Sequence, residues 1–77
     1  MPKILEEGKF RVYVYANDDH PHHLPHCHVY WDGTDRASVV SLPDLAVIVG
    51  EALPRAVRRL LRANVGILLA AWRRLNP

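Results

Sequence analysis

The spacing of apolar residues changes character near Pro54, and that change limits the chain to a fold with strands first and helix last. Phe10, Val12 and Val14 alternate with Arg11, Tyr13 and Tyr15, the period-2 pattern of a strand with one buried face. From Val57 onward, Leu60, Leu61, Leu68, Trp72 and Leu75 recur at helical spacing with Val65 beside them, and Arg58, Arg59, Arg62 and Arg73 fall on the other side. Between these ends, His26 to Trp31 and Arg36 to Leu42 read as two strands joined at Asp32-Gly33-Thr34-Asp35. Asn17 to Pro25 holds two prolines and several turn-forming residues and reads as a loop. Leu45 to Val49, bounded by Gly50, suits a further short strand. Pro54 suits a first helical turn. Gly66, close after Asn64, allows either one bent helix or two consecutive ones, since glycine costs about 1 kcal/mol in a helix interior. The predicted fold is α+β: a small antiparallel sheet of three to four strands packed by one bent or two consecutive C-terminal helices.

A chain of 77 residues has room for one domain over 1–77, with 1–51 mainly β around a histidine-rich loop and 52–77 a basic amphipathic helical region. Its 49% hydrophobic content supports a folded core. The size is nevertheless near the lower limit for one core, so a partner, a second copy or a metal is the expected source of further stability. Cys27 is the single cysteine; no intramolecular disulfide can form, and the residue is expected as a small buried hydrophobe. The longest purely apolar run, Ile67 to Trp72, falls far short of the roughly 20 residues a spanning helix needs. Glu6 and Glu7 stand where a signal peptide would be apolar. The expectation is a cytoplasmic protein with no membrane partner.

The net charge of +2 conceals a division. Residues 1–51 carry Lys3, Lys9, Arg11 and Arg36 against eight acidic groups, whereas 52–77 carry Arg55, Arg58, Arg59, Arg62, Arg73 and Arg74 and no acid. A +6 helical end suggests that this part meets something negative, RNA, DNA or an acidic protein face. Arg55, Arg58, Arg59 and Arg62 form an i, i+3, i+4, i+7 set, a row that can engage phosphates with salt-sensitive affinity. The same spacing also suits an ordinary solvated helix face.

All five histidines, His20, His22, His23, His26 and His28, lie within nine residues. On a strand, His26, His28 and Tyr30 project to one side and Cys27, Val29 and Trp31 to the other. The second set has the composition of a core, so the histidines are expected to face outward or into a groove, a face that Arg11, Tyr13 and Tyr15 can share. Two imidazoles at i and i+2 can converge on one divalent metal such as zinc, with His22 the favoured third ligand and His20, His23 or Asp18 as alternatives. Without metal, the same pair can serve as general base and acid beside an arginine that stabilises charge, as phosphodiester cleavage needs. A third reading is a polar loop and strand rim whose histidines hydrogen-bond locally.

The order of motifs carries a resemblance. Met1-Pro2-Lys3-Ile4, Tyr15-Ala16-Asn17-Asp18 leading to Pro25-His26-Cys27-His28, Val47-Ile48-Val49-Gly50 with Leu53-Pro54-Arg55-Ala56, and Leu68-Leu69 before Trp72 resemble the bacterial family called domain of unknown function 4160 over nearly the whole chain. The resemblance implies a small protein encoded beside another small domain and assigned as the toxin partner of a type II toxin–antitoxin pair. By motif match it implies Asn17, Asp18, His26 and His28 as the functional, catalytic set. The chain departs from the family pattern in two places. Asp19 to Leu24 lengthen the loop and add histidines, which shifts the register of His20. Ile67 stands where the family helix carries an acidic residue, so Ile67 and Leu69 offer extra apolar surface to a partner.

Three functions follow in order: a toxin-side component, held by a small cognate protein or its own copies, that binds or acts on nucleic acid with a nuclease-like activity; a metal-binding or small hydrolytic domain built on His26 and His28; and a non-enzymatic interaction module.

Overall fold

The structure is a computed structural model that describes residues 3–16, 24–31 and 36–76. Five strands, β1 (Lys3–Glu7), β2 (Phe10–Tyr13), β3 (His26–Trp31), β4 (Arg36–Ser41) and β5 (Val47–Gly50), precede two helices, α1 (Arg55–Ala63) and α2 (Val65–Leu75). The strands form one sheet in chain order, each antiparallel to the next. The α+β class therefore holds, with five strands where three to four were expected. The additional strand is β1. Its two-residue turn depends on Gly8 at φ +59, a conformation glycine adopts at no steric cost, and Glu7 pairs with Phe10 across it. A register shift between Lys3 and Leu5 breaks the apolar alternation that would have revealed the strand. The shift also allows Lys3 to donate to Glu6 at 2.7 Å. That bond raises the Lys3 pKa and lowers that of Glu6.

One sheet face is packed. Val12, Val14, Cys27, Val29, Val40 and Trp31 join Val57, Leu61, Leu68, Ala71 and Trp72 of the helices in a single buried cluster. Trp72 and Cys27 are core residues, as expected. Burial pushes the Cys27 thiol up to about 12, because removing a thiolate from water disfavours the charged form.

The link from β4 to β5 is organised by Ser41. Its hydroxyl donates to Asp44 Oδ1 at 2.9 Å and accepts from the Ala46 amide at 3.0 Å. Leu45, buried at φ +60, accepts a hydrogen bond at its carbonyl from Arg58 Nη1, 3.3 Å away. The chain leaves β5 through Gly50, whose φ is +108; a Cβ there would lie 2.5 Å from the Ala37 carbonyl oxygen and 2.8 Å from Ser38 Cα. Ser38, buried opposite Gly50, donates its hydroxyl to the Glu51 carbonyl.

Two helices are present and the break falls at Asn64. Its amide N–H is bonded to Leu61 O at 3.1 Å and its side-chain Nδ2 to Leu60 O at 2.9 Å, so the residue caps the end of α1, while its own carbonyl accepts from Leu68 N. At the far end of α2, Asn76 Nδ2 donates to Tyr15 O at 3.0 Å, fastening the helix terminus beside the end of β2. No helix among the described residues is long and apolar enough to cross a membrane.

Candidate functional site

The sheet face away from the core is where the unusual side chains meet. Register places Tyr13 opposite His28, His28 opposite Val39, and Val39 opposite Val49; the neighbouring row runs Arg11, Tyr30, Ala37. Paired residues of antiparallel strands point to the same side, so this composition is set by strand parity. Tyr13 stacks on Tyr15 with ring centroids 6.0 Å apart and planes 6° from parallel, and meets Tyr30 edge-on at 5.5 Å. Tyr15 meets His28 edge-on at 4.7 Å. The Arg11 guanidinium lies 5.7 Å from the centre of the Tyr30 ring, a cation–π arrangement. Tyr13, Tyr15, His28 and Tyr30 are all half-buried. The expected sharing of this face by Arg11, Tyr13 and Tyr15 is thus observed.

His26 departs from the expectation that the strand histidines face outward or into a groove. It is 0% exposed. Its ring lies 4.7 Å from that of Trp72 and 5.5 Å from that of His28. Its Nδ1 is 2.6 Å from Leu24 O; a carbonyl only accepts, so Nδ1 carries the proton and donates. The physical reason is position: His26 opens β3 at the end of the sheet, where Trp72 closes over the strand end, so parity alone no longer decides exposure. Of the two strand histidines, only the half-buried His28 meets solvent.

Asn17, Asp18 and His22, with His20 and His23, lie outside the described residues. Among the described residues, no three His, Cys, Asp or Glu side chains gather as a metal site would require. His26 and His28 could contribute two nitrogens at most, and His26 Nδ1 is committed to Leu24.

The arginine row divides. Arg55, Arg59 and Arg62 are exposed on α1. Arg58 is half-buried and serves the Leu45 carbonyl, so it belongs to the packing of the β4–β5 link. Val57 and Leu61 seat α1 on the core side of the sheet, which sets the exposed arginines apart from the tyrosine and histidine face. Arg73 and Arg74 are exposed in the last turn of α2, where cations complement the helix dipole. Ile67 is 55% exposed, whereas Leu69 packs partly against the core.

Residues 10–73 match the family described as domain of unknown function (DUF4160). The chain belongs to this family. No curated protein and no solved structure matches it. The DUF4160 region runs from the start of β2 into the last turn of α2 and includes both the aromatic face and the arginine row, leaving β1 outside. Tyr30 and Arg11 stand beside His28 on this face, and the signal that brings them there is the shared parity of these residues along their strands. The burial of His26 by Trp72 had no local signal, because the two are far apart in the chain.

Proposed function

We propose that this DUF4160 protein is the toxin-side component of a bacterial two-protein toxin–antitoxin-like pair and that it binds nucleic acid through its helical end. The observation that carries the reading is the charge of that end: Arg55, Arg59, Arg62, Arg73 and Arg74 are exposed and residues 52–77 hold no Asp or Glu. Guanidinium groups so placed can replace counterions along a phosphate backbone. The half-buried His28 on the opposite face is the described histidine best placed for any proton transfer, and the toxin reading adds Asn17 and Asp18 from the family motif as its partners.

Two measurements test the proposal. Inducible expression in bacteria should arrest growth, and His28→Ala should relieve the arrest while preserving the fold. Binding to duplex nucleic acid, titrated against salt, should weaken linearly on logarithmic axes, and replacing Arg55, Arg59 and Arg62 by alanine should reduce the slope by about 2 to 3. Normal growth together with no nucleic-acid binding would remove the proposal. A second reading, an interaction module, draws on the exposed Ile67 and predicts a partner-dependent or concentration-dependent mass instead. A divalent site at His26, His28 and His22 is tested by metal analysis of untagged protein.

A further inference from the structure

The aromatic face contains a shallow hollow of about 150 Å³, with His28 and Tyr30 on one side and Val39 and Val49 on the other. Ala37 and Gly50 also line it, and their small size leaves it open. Sites that enclose a whole small molecule run from about 300 to 1,000 Å³. This hollow therefore suits one ring-sized group belonging to a larger ligand.

Charge narrows the ligand. None of β2, β3, β4 and β5 carries an acidic residue, although residues 1–51 as a whole are net negative. The acids of the sheet are confined to β1, where Glu6 accepts from Lys3 and stands opposite Arg11, and Glu51 follows the end of β5. Arg11 lies over Tyr30 in the row beside the hollow. A planar ring in the hollow would thus have imidazole and phenol beside it and aliphatic surface beneath, with the Arg11 guanidinium on the far side of Tyr30 in the neighbouring row. Those are the features of a stacking platform for unpaired bases. Bases inside a duplex are already paired and stacked, and cannot enter.

We propose that this face binds a single-stranded nucleic acid, taking one unpaired base into the hollow between Tyr30 and Val49 and placing its phosphate toward Arg11. The inference rests on the nucleic-acid reading above and specifies a second surface, separate from the arginines of α1. The bound strand contacts the face opposite the packed core, so it leaves the exposed arginines available to a different stretch of the ligand.

The test uses the full chain and two fluorescent probes at one salt concentration: an oligouridylate of about 12 nucleotides, within the range one small domain covers, and a duplex of equal length. Tyr30→Leu removes the stacking ring. Val49→Glu, at a position 51% exposed, blocks the hollow with minimal risk to folding. Each should weaken single-strand binding about tenfold, within the effect of losing one stacked base, and leave duplex binding within about twofold. The Arg55, Arg59 and Arg62 alanine variant should show the opposite preference. Folded Tyr30→Leu and Val49→Glu proteins that bind the single strand as wild type does would overturn the inference, including the case where the arginine variant alone loses binding. Wild type that binds duplex only would also overturn it while leaving the helical-end reading intact. Binding to neither probe would remove both, and would point to a protein side chain as the occupant of the hollow.

Discussion

Adding one methyl group at each of three glycines should give three different stability changes, and the order follows from the geometry. Gly50→Ala combines a residue at φ +108 with a Cβ 2.5 Å from the Ala37 oxygen and 2.8 Å from both Ser38 Cα and Ser38 Oγ. A non-glycine residue held in such a conformation costs about 1–3 kcal/mol, and forcing packed backbone apart costs about 1–3 more. The expected loss is about 2–6 kcal/mol, against a total of about 4–12 for a chain of this length. Gly8→Ala meets nothing within 4 Å at φ +59, leaving only the left-handed penalty of about 1–2 kcal/mol. Gly66→Ala also meets nothing within 4 Å and lies in α2 without a positive φ, so it should stabilise by about 0.5–1 kcal/mol. Urea unfolding followed by circular dichroism measures all three, at a slope of about 1 kcal/mol per molar for so small a protein. The midpoint should fall by about 2 M or more for Gly50→Ala, fall by about 1 M for Gly8→Ala, and rise for Gly66→Ala. A Gly50→Ala midpoint within about 0.5 M of wild type would refute the close approach of β4 to the end of β5, and with it the shape of the hollow.

His26→Leu keeps an apolar group against Trp72 but leaves the Leu24 carbonyl without its imidazole donor; a loss of about 1–3 kcal/mol is expected in the same unfolding assay, and no loss would argue against the inward orientation. Cys27 should resist alkylation in the folded protein and react on denaturation. Its thiol is raised from 9.0 to about 12 by burial, so the folded state retains a proton that the unfolded state releases. Stability from this group is therefore present below pH 9 and lost as pH rises from 9 toward 12. Cys27→Ala should flatten that decline, and an unchanged alkaline profile would count against the burial of the thiol.

The parts of this protein readable from its sequence are those in which neighbours along the chain decide the outcome. The alternation of β2 and β3 set the sidedness of Tyr13, His28 and Tyr30, and the apolar spacing after Pro54 identified the buried stripe of both helices. The first strand escaped notice because the register shift after Lys3 and the adjacent Glu6 and Glu7 obscured its period. The helix break was narrowed to Asn64 and Gly66, and the side-chain bond of Asn64 to the Leu60 carbonyl decided it.

Residue order alone determined the succession from β2 to a helical end, the chemical character of the β2 and β3 faces and the concentration of positive charge after residue 51, because all three depend on local spacing and composition. Tertiary structure decided that His26 is enclosed while His28 is not, that Arg58 serves the Leu45 carbonyl while Arg59 meets solvent, and that the arginines lie away from the aromatic face. Each of these depends on groups distant in the chain being brought within a few ångströms by packing, and no local period encodes such a meeting.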